Sequence, residues 1–276
     1  MASGASAPRR AAGASQPVAE VLARCLEALS HRPNALVCDI DGTISRIVPR
    51  PEDATVSPRV TEALENLVGA LDLVAVITAR QAALARRMVG ADGVEYVGNY
   101  GLPAGADVHG ADSIKAARRV VLPLLAGLPC VTVEDKGVAF SLHYRNCDQP
   151  EAVRERLLSL AAPVAEATGT RLLEGKRVIE FVPGALPDKH SAFLALTEAR
   201  GIRGLVYLGD DLSDIPVFGE IKGRRAEGVM DAVAVVVRDN ETDPSVAEAA
   251  DLAVEGVDAV EELLGALARE LSRSGG

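Results

Sequence analysis

The chain has no tryptophan and only 3% aromatic residues among 276 positions, so it offers no platform for stacking nucleobases. Positive charge is also scarce. Lys and Arg number 29 against 39 Asp and Glu, a formal net charge of −10, and the basic footprint of a nucleic-acid binder is missing. No stretch approaches the ~20 apolar residues of a membrane span, and the opening residues hold no apolar core of a signal peptide. Cysteine is limited to Cys25, Cys38, Cys130 and Cys147, with no Cys-x-x-Cys pair. That usage predicts reduced, buried thiols and a cytoplasmic protein. His31, His109, His143 and His190 show no zinc-ligand spacing. Repetition at a fixed period is absent, which excludes a solenoid.

What is present is a core: 48% of the residues are hydrophobic. The Ala-, Ser- and Gly-rich opening predicts a disordered tail over residues 1–16. Beyond it, β and α patterns alternate. The continuous apolar runs 35–40, 71–78, 204–209 and 232–237 predict strands buried on both faces of a parallel sheet. Ser57 followed by Pro58 predicts a helix start, and Gly90 a helix end. The middle differs. Residues 131–145 predict a hairpin turning at Asp135, Lys136 and Gly137, and residues 170–183 a second turning at Gly175 and Lys176. The expected fold is α/β: a doubly wound, mostly parallel sheet over 17–104 and 184–276, interrupted by a small α+β cap domain over 105–183.

In such sheets, sites form outside the carboxyl ends of the strands. The first strand ends in Asp39 and Asp41, followed by Gly42 and Thr43; the second ends in Thr78, Ala79 and Arg80. The 204–209 strand ends in Asp210 and Asp211, with Asp214 close behind, and Lys189 stands at a loop-to-helix start. Carboxylates gathered from two strand ends repel one another, and Mg²⁺, which favours carboxylate oxygens, removes that repulsion. The same cation neutralises an incoming phosphate, while a hydroxyl, an ammonium and turn N–H groups hold its other oxygens. One carboxylate can then attack phosphorus and a second can serve the leaving oxygen as acid and base. Two-residue spacing in an extended segment points Asp39 and Asp41 the same way. Each residue alone has a plainer use as a turn former, cap or surface charge; it is their joint order at strand ends that points to phosphoryl transfer.

The segments "DIDGT", "TAR", Lys189 and "GDDLSD" resemble the four motifs of the haloacid dehalogenase superfamily of phosphohydrolases. "VEDKGVAFSLHYR", "EGKRVIEFVPG" and the segment from Asp243 to Leu267 look like trehalose-6-phosphate phosphatases. The resemblance implies Asp39 as nucleophile, Asp41 as general acid/base, and Thr78 and Lys189 as phosphoryl holders. It implies Mg²⁺ held by Asp39, Asp41 (through its carbonyl) and Asp210, with Asp214 supporting the metal or Lys189; it assigns Asp211 no role. It adds Arg80 and Asn99 to the substrate site. In the cap, Glu134, Lys136, Arg145, Lys176 and Glu180 are of the type that recognises sugar hydroxyls, and the resemblance implies contact for Glu134, Lys136 and Glu180. The same residues would also serve as cross-strand ion pairs on a small sheet. His143 receives no role. The implied reaction is hydrolysis of trehalose 6-phosphate, with another sugar phosphate or a sugar phosphomutase reaction as alternatives. The implied partner is a small-molecule sugar phosphate, and the resemblance leaves room for association with a trehalose-6-phosphate synthase. The sequence departs from the family pattern in having Ile40 between the aspartates, Thr78-Ala79 for Ser-Gly, Tyr100 for His, His190 after the lysine, and Ile215-Pro216 for Glu.

Overall fold

A computed structural model of the protein describes residues 15–101, 111–185 and 187–274. Helix α1 (Val18–Leu29) precedes β1 (Asn34–Cys38), α2 (Pro58–Val68), β2 (Leu73–Ile77), α3 (Ala82–Val89) and β3 (Glu95–Val97). Then come α4 (Ala111–Leu124), β4 (Thr132–Asp135), β5 (Phe140–His143), α5 (Pro150–Thr168), β6 (Thr170–Gly175) and β7 (Val178–Pro183). The chain closes with α6 (Lys189–Glu198), β8 (Gly204–Gly209), α7 (Ile215–Ala226), β9 (Asp231–Arg238), α8 (Pro244–Ala249), β10 (Leu252–Glu255) and α9 (Gly256–Ser274).

Six parallel strands form the main sheet in the order β10-β9-β8-β1-β2-β3. All five residues of β1 are buried because both faces are covered. Leu36 and Cys38 pack into one layer with α1, α2 and α9, through Val21, Leu64 and Leu264. Ala35 and Val37 pack into the other with α6, α7 and α8, through Phe193, Phe218 and Val246. Helix starts follow the expected chemistry: the Ser57 hydroxyl accepts from the Val60 N–H, with Pro58 at the first helical position, and Gly90 ends α3 in the left-handed conformation. From β1 the chain runs outward through β2 and β3, then returns beside β1 as β8 and runs out the other way. The reversal lies between β1 and β8, where α/β sheets open a crevice.

The segment between β3 and α6 folds into a second, antiparallel sheet of order β4-β5-β7-β6. The first hairpin turns where expected, with Gly137 at φ 79°; the second turns one residue later than expected, at Lys176 and Arg177 (φ 63°), because Gly175 still pairs with Val178. Helices α4 and α5 cover one face through Ile114, Val121, Leu157 and Val164, against stacked Phe140 and Phe181 with ring centroids 4.6 Å apart. A small apolar contact of Ala139 and Val182 with Ala79 joins this unit to the main body.

Two expectations change. Cys130 and Cys147 form a disulfide, with Cα atoms 5.2 Å apart, so only Cys25 and Cys38 are the buried free thiols foreseen for all four. The antiparallel pairing of β4 with β5 sets Thr132 opposite His143, and its continuation brings the residues flanking the hairpin together. Of the tail expected over 1–16, residues 1–14 lie outside the described residues, as does the boundary expected at 105. Gln16 runs beside β10: its N–H donates to the Ala253 carbonyl and its side-chain oxygen accepts from the Ala253 N–H. Among the described residues, no helix is long and apolar enough to cross a membrane.

Candidate active site

The centre lies at the carboxyl ends of β1 and β8. Asp39 follows β1, and its N–H bonds the Leu208 carbonyl, carrying the β1–β8 pairing one residue further. Lys189, at the start of α6, is buried; its Nζ donates to Asp39 Oδ2 at 2.7 Å and to Asp214 Oδ1 at 2.9 Å. Burial pushes the Asp39 carboxyl up to about 7, even though Lys189 opposes the shift. Burial works against the Lys189 charge, but Asp214 and Asp39 outweigh it and hold the ammonium well above its ordinary value.

Asp214 is fully committed. Oδ1 accepts from Lys189 and from the Tyr207 hydroxyl at 2.7 Å, and Oδ2 accepts from the N–H groups of Asp210 and Asp211 at 2.9 and 3.1 Å. Four donors exhaust a carboxylate's lone pairs, so Asp214 orients Lys189 and the turn instead of presenting a free oxygen. Gly209 makes room for it, since a Cβ there would lie 2.4 Å from Asp214 Cγ. Asp211 caps the turn Leu212–Asp214 by accepting from the Ser213 N–H.

Asp210 is buried beside Asp39, and burial pushes its carboxyl well up, with Lys176 opposing. Its Oδ1 accepts from the Thr43 hydroxyl at 3.1 Å, so Thr43 bonds across the site and not only locally as expected. Its Oδ2 is buried and meets no geometric hydrogen bond; the Lys176 ammonium, 2.7 Å away, pairs with it by charge. Gly42, at φ 85°, lets the chain pass this oxygen: a Cβ there would lie 1.9 Å from Asp210 Oδ2. Oxygens of Asp39, Asp210 and Asp214 all fall within 4.8 Å of one another. Two buried carboxylates with spare acceptor capacity, one oxygen lacking a donor, are a hard-oxygen set that suits Mg²⁺.

The Asp41 carboxylate is held by Arg80. Arg80 forks it, with Nε to Oδ2 at 2.6 Å and Nη2 to Oδ1 at 2.7 Å, and the same guanidinium bonds the Pro51 carbonyl at 3.1 Å. Thr78 is buried at the end of β2, where its hydroxyl accepts from the Arg80 N–H.

Above these residues a cavity opens, roofed by the antiparallel sheet. Glu134, Lys136, His143, Arg145, Lys176 and Glu180 line it, opposite Asp39, Asp41, Thr78, Arg80, Lys189 and Asp210. Lys136 pairs with Glu180 at 3.0 Å, both nearly buried; burial lowers the Lys136 pKa, but Glu180 and Glu134 outweigh it and raise it overall. Lys176 spans Asp210 and Asp239, at 2.7 and 3.0 Å. Arg145 pairs with Glu241 and donates to the Lys176 carbonyl at 2.9 Å, so both side chains stitch the cap to the strand ends. Asn99 is not in the cavity lining. It sits at φ 48° in a short turn, and its N–H bonds the Arg80 carbonyl, so it supports that segment from behind. Three residues passed over in the sequence also matter: Tyr207 holds Asp214, while His143 and Asn146 line the cavity. The spacing of His143 two residues before Arg145 was the available signal, since alternate strand residues share a face.

This parallel sheet and the antiparallel unit inserted in it make a haloacid dehalogenase-like core with an α+β cap. Residues 37–258 match the trehalose-phosphatase family, and the chain belongs to it. It is 32% identical over 268 residues to a trehalose-phosphate phosphatase of Mycobacterium avium, covering 91% of this chain and 66% of that protein. It is 30% identical over 239 residues to an uncharacterized glycosyl hydrolase of Mycobacterium tuberculosis, covering 80% of this chain. The chain thus spans 66% and 17% of the length of these two relatives. The fold matches the C-terminal domain of C. albicans trehalose-6-phosphate phosphatase with a TM-score of 0.77, at 20% identity over 93% of this chain and 98% of that one.

Proposed function

We propose that the chain is a phosphoric monoester hydrolase that converts trehalose 6-phosphate to trehalose and phosphate. The observation that carries the reading is the placement of Asp39 beside Lys189 at the end of β1, beneath a polar cap face, in a chain of the trehalose-phosphatase family. Asp39 Oδ attacks phosphorus, and the phosphorus–oxygen bond to the sugar breaks. Asp41 gives its proton to the departing sugar oxygen. Water then attacks the aspartyl-phosphate; Asp41 takes the water's proton, the acyl–phosphate bond breaks at phosphorus, and Asp39 is restored. Lys189 and Thr78 hold phosphoryl oxygens in line with Asp39. When bound at Asp39 and Asp210, Mg²⁺ would supply charge neutralisation for the phosphoryl group. Arg80 grips both Asp41 oxygens and so fixes the direction in which the carboxyl faces. The cap closes the site to bulk water, with Glu134, Lys136 and Glu180 meeting the sugar.

The Cys130–Cys147 bond removes reduced thiols as a ground for a cytoplasmic location; the location still belongs to the phosphatase reading, and cell fractionation tests it. Association with a trehalose-6-phosphate synthase does too, and co-purification of the two tests that. For the activity, phosphate release is measured on a panel of trehalose 6-phosphate, sucrose 6-phosphate and glycosyl-glycerate phosphates, with and without chelator. Trehalose 6-phosphate should give the highest kcat/KM, and both chelator and Asp39→Asn should abolish turnover. If another ester ranks first, the substrate is wrong. If isomerised sugar phosphate appears in place of free phosphate, the reaction is that of a phosphomutase.

A further inference from the structure

We infer that His143 is a positioning residue of the cap: it fixes Glu134 as a hydrogen-bond acceptor and so sets how well the site tells a sugar phosphate from a phosphate ester without a sugar. The inference rests on the sugar-phosphatase reading above. His143 Nε2 lies 2.8 Å from Glu134 Oε2. A carboxylate only accepts, so Nε2 carries the proton and donates. The contact follows from the register of the cap sheet. Thr132 stands opposite His143 and Glu134 opposite Ser141, so Glu134 and His143 are diagonal neighbours on one face of the β4–β5 pair. Both side chains are partly exposed and both line the cavity.

A partly exposed glutamate with three rotatable bonds samples several rotamers, and ordering it costs free energy when a ligand binds. The bond from His143 meets that cost beforehand. It also keeps Glu134 ionised. Burial alone would raise the Glu134 pKa, but the His143 bond, with Lys136 and Arg80 nearby, holds the carboxyl below its ordinary range. The result is a fixed acceptor with Oε2 engaged, leaving Oε1 to take a hydrogen bond from a sugar hydroxyl. The neighbouring Lys136–Glu180 pair adds a second donor and acceptor in the same cavity. A ligand without hydroxyls offers Glu134 Oε1 no donor, so that oxygen loses water on cap closure without compensation, and such a loss is what makes a site selective. His143 does not touch the reacting atoms; its effect passes through Glu134.

The test compares the whole chain with His143→Ala, His143→Gln, Glu134→Gln and the His143→Ala/Glu134→Gln double variant. Each is assayed on the best sugar phosphate of the panel and on p-nitrophenyl phosphate, whose leaving group has no sugar hydroxyls. In His143→Ala, KM for the sugar phosphate should rise roughly tenfold. Its kcat should change far less, and the preference for the sugar phosphate over p-nitrophenyl phosphate should fall by a similar factor. His143→Gln, which keeps an N–H donor, should recover part of the loss. The double variant should lose little beyond either single one, because the two residues act as a unit. Equal losses on both esters, independent and additive losses, or an unchanged preference would each overturn the inference. A wild-type protein that prefers p-nitrophenyl phosphate to every sugar phosphate defeats the functional reading itself. A wild-type protein that prefers a sugar phosphate, with His143→Ala retaining the preference, defeats this inference alone.

Discussion

The ammonium of Lys176, carried by the β6–β7 turn of the cap, lies 2.7 Å from Asp210 Oδ2, the buried oxygen without a hydrogen bond. Lys176 is thus the counter-charge of the carboxylate best suited to a divalent cation. An ammonium at that distance and a divalent cation on the same oxygen repel each other strongly in a buried setting. A cation held there would therefore displace Lys176 towards Asp239, its other partner at 3.0 Å. Removing the competitor should tighten the site. Lys176→Met is expected to bind Mg²⁺ several-fold more tightly than the unaltered chain in the absence of substrate. Titration calorimetry reads this directly; unchanged or weaker affinity would show that Lys176 does not compete.

Arg80 bonds residues of the main body and not of the cap. It forks Asp41 and bonds the Pro51 carbonyl, and its side chain is only 11% exposed. A lysine would keep the charge but lose the planar fork, so Arg80→Lys should behave as a severe change. The expected loss in kcat/KM is on the order of 10²-fold, because Asp41, the proposed acid/base, is no longer held in place. The loss should be nearly equal for a sugar phosphate and for p-nitrophenyl phosphate. A loss confined to the sugar ester would instead assign Arg80 to sugar recognition.

Much of this was legible in the chain because buried parallel strands announce themselves as unbroken apolar runs. The run 204–209 became β8 residue for residue. Asp39 and Asp210 stood out for a related reason, as charges at the ends of such runs, whereas Lys189, at a loop-to-helix start, stood out only in combination with them. Long-range pairings were not legible. Nothing local to Asp41 says that its oxygens go to Arg80, 39 residues away, or that Thr43 reaches Asp210, 167 residues away. Tyr207 reads as one more apolar residue within a buried strand; only the fold-back of Asp214, allowed by Gly209, gives its hydroxyl a partner. The Cys130–Cys147 bond required the strand register, which spacing alone does not supply.

Tyr207 supplies the next prediction. Its ring packs edge-on against Phe193 and Phe218, and its hydroxyl is one of four donors to buried Asp214. Tyr207→Phe preserves the packing and removes one donor from a buried charge, which costs about 1–3 kcal/mol. For a chain of this size that is a fall in Tm of several degrees. Activity should fall as well, because Asp214 orients Lys189. Calorimetry and phosphate release on the same preparation check both; an unchanged Tm would mean that the hydroxyl contributes nothing to the site.

At the opposite end of the sheet, Asp72 ties the entries to β1 and β2 together. It accepts from Arg32 Nε at 3.0 Å and Nη2 at 2.6 Å, and from the Asn34 N–H at 2.9 Å. The Arg32 bonds are the main reason why the Asp72 carboxyl titrates below its ordinary value; burial opposes the shift and the Asn34 bond assists it. A carboxyl with a lowered folded-state pKa favours folding fully above its unfolded value, and that contribution is lost as pH falls through the folded value. The unaltered chain should therefore exceed Asp72→Asn in Tm at neutral pH, and the gap should close below about pH 4, the unfolded value. Because the pair is partly exposed, added salt should narrow the gap at neutral pH as well. Thermal unfolding of both proteins from pH 7 down to 3 measures it. A gap that stays constant across that range would mean that the Asp72 charge contributes nothing, and that its geometry alone holds the strand entries together.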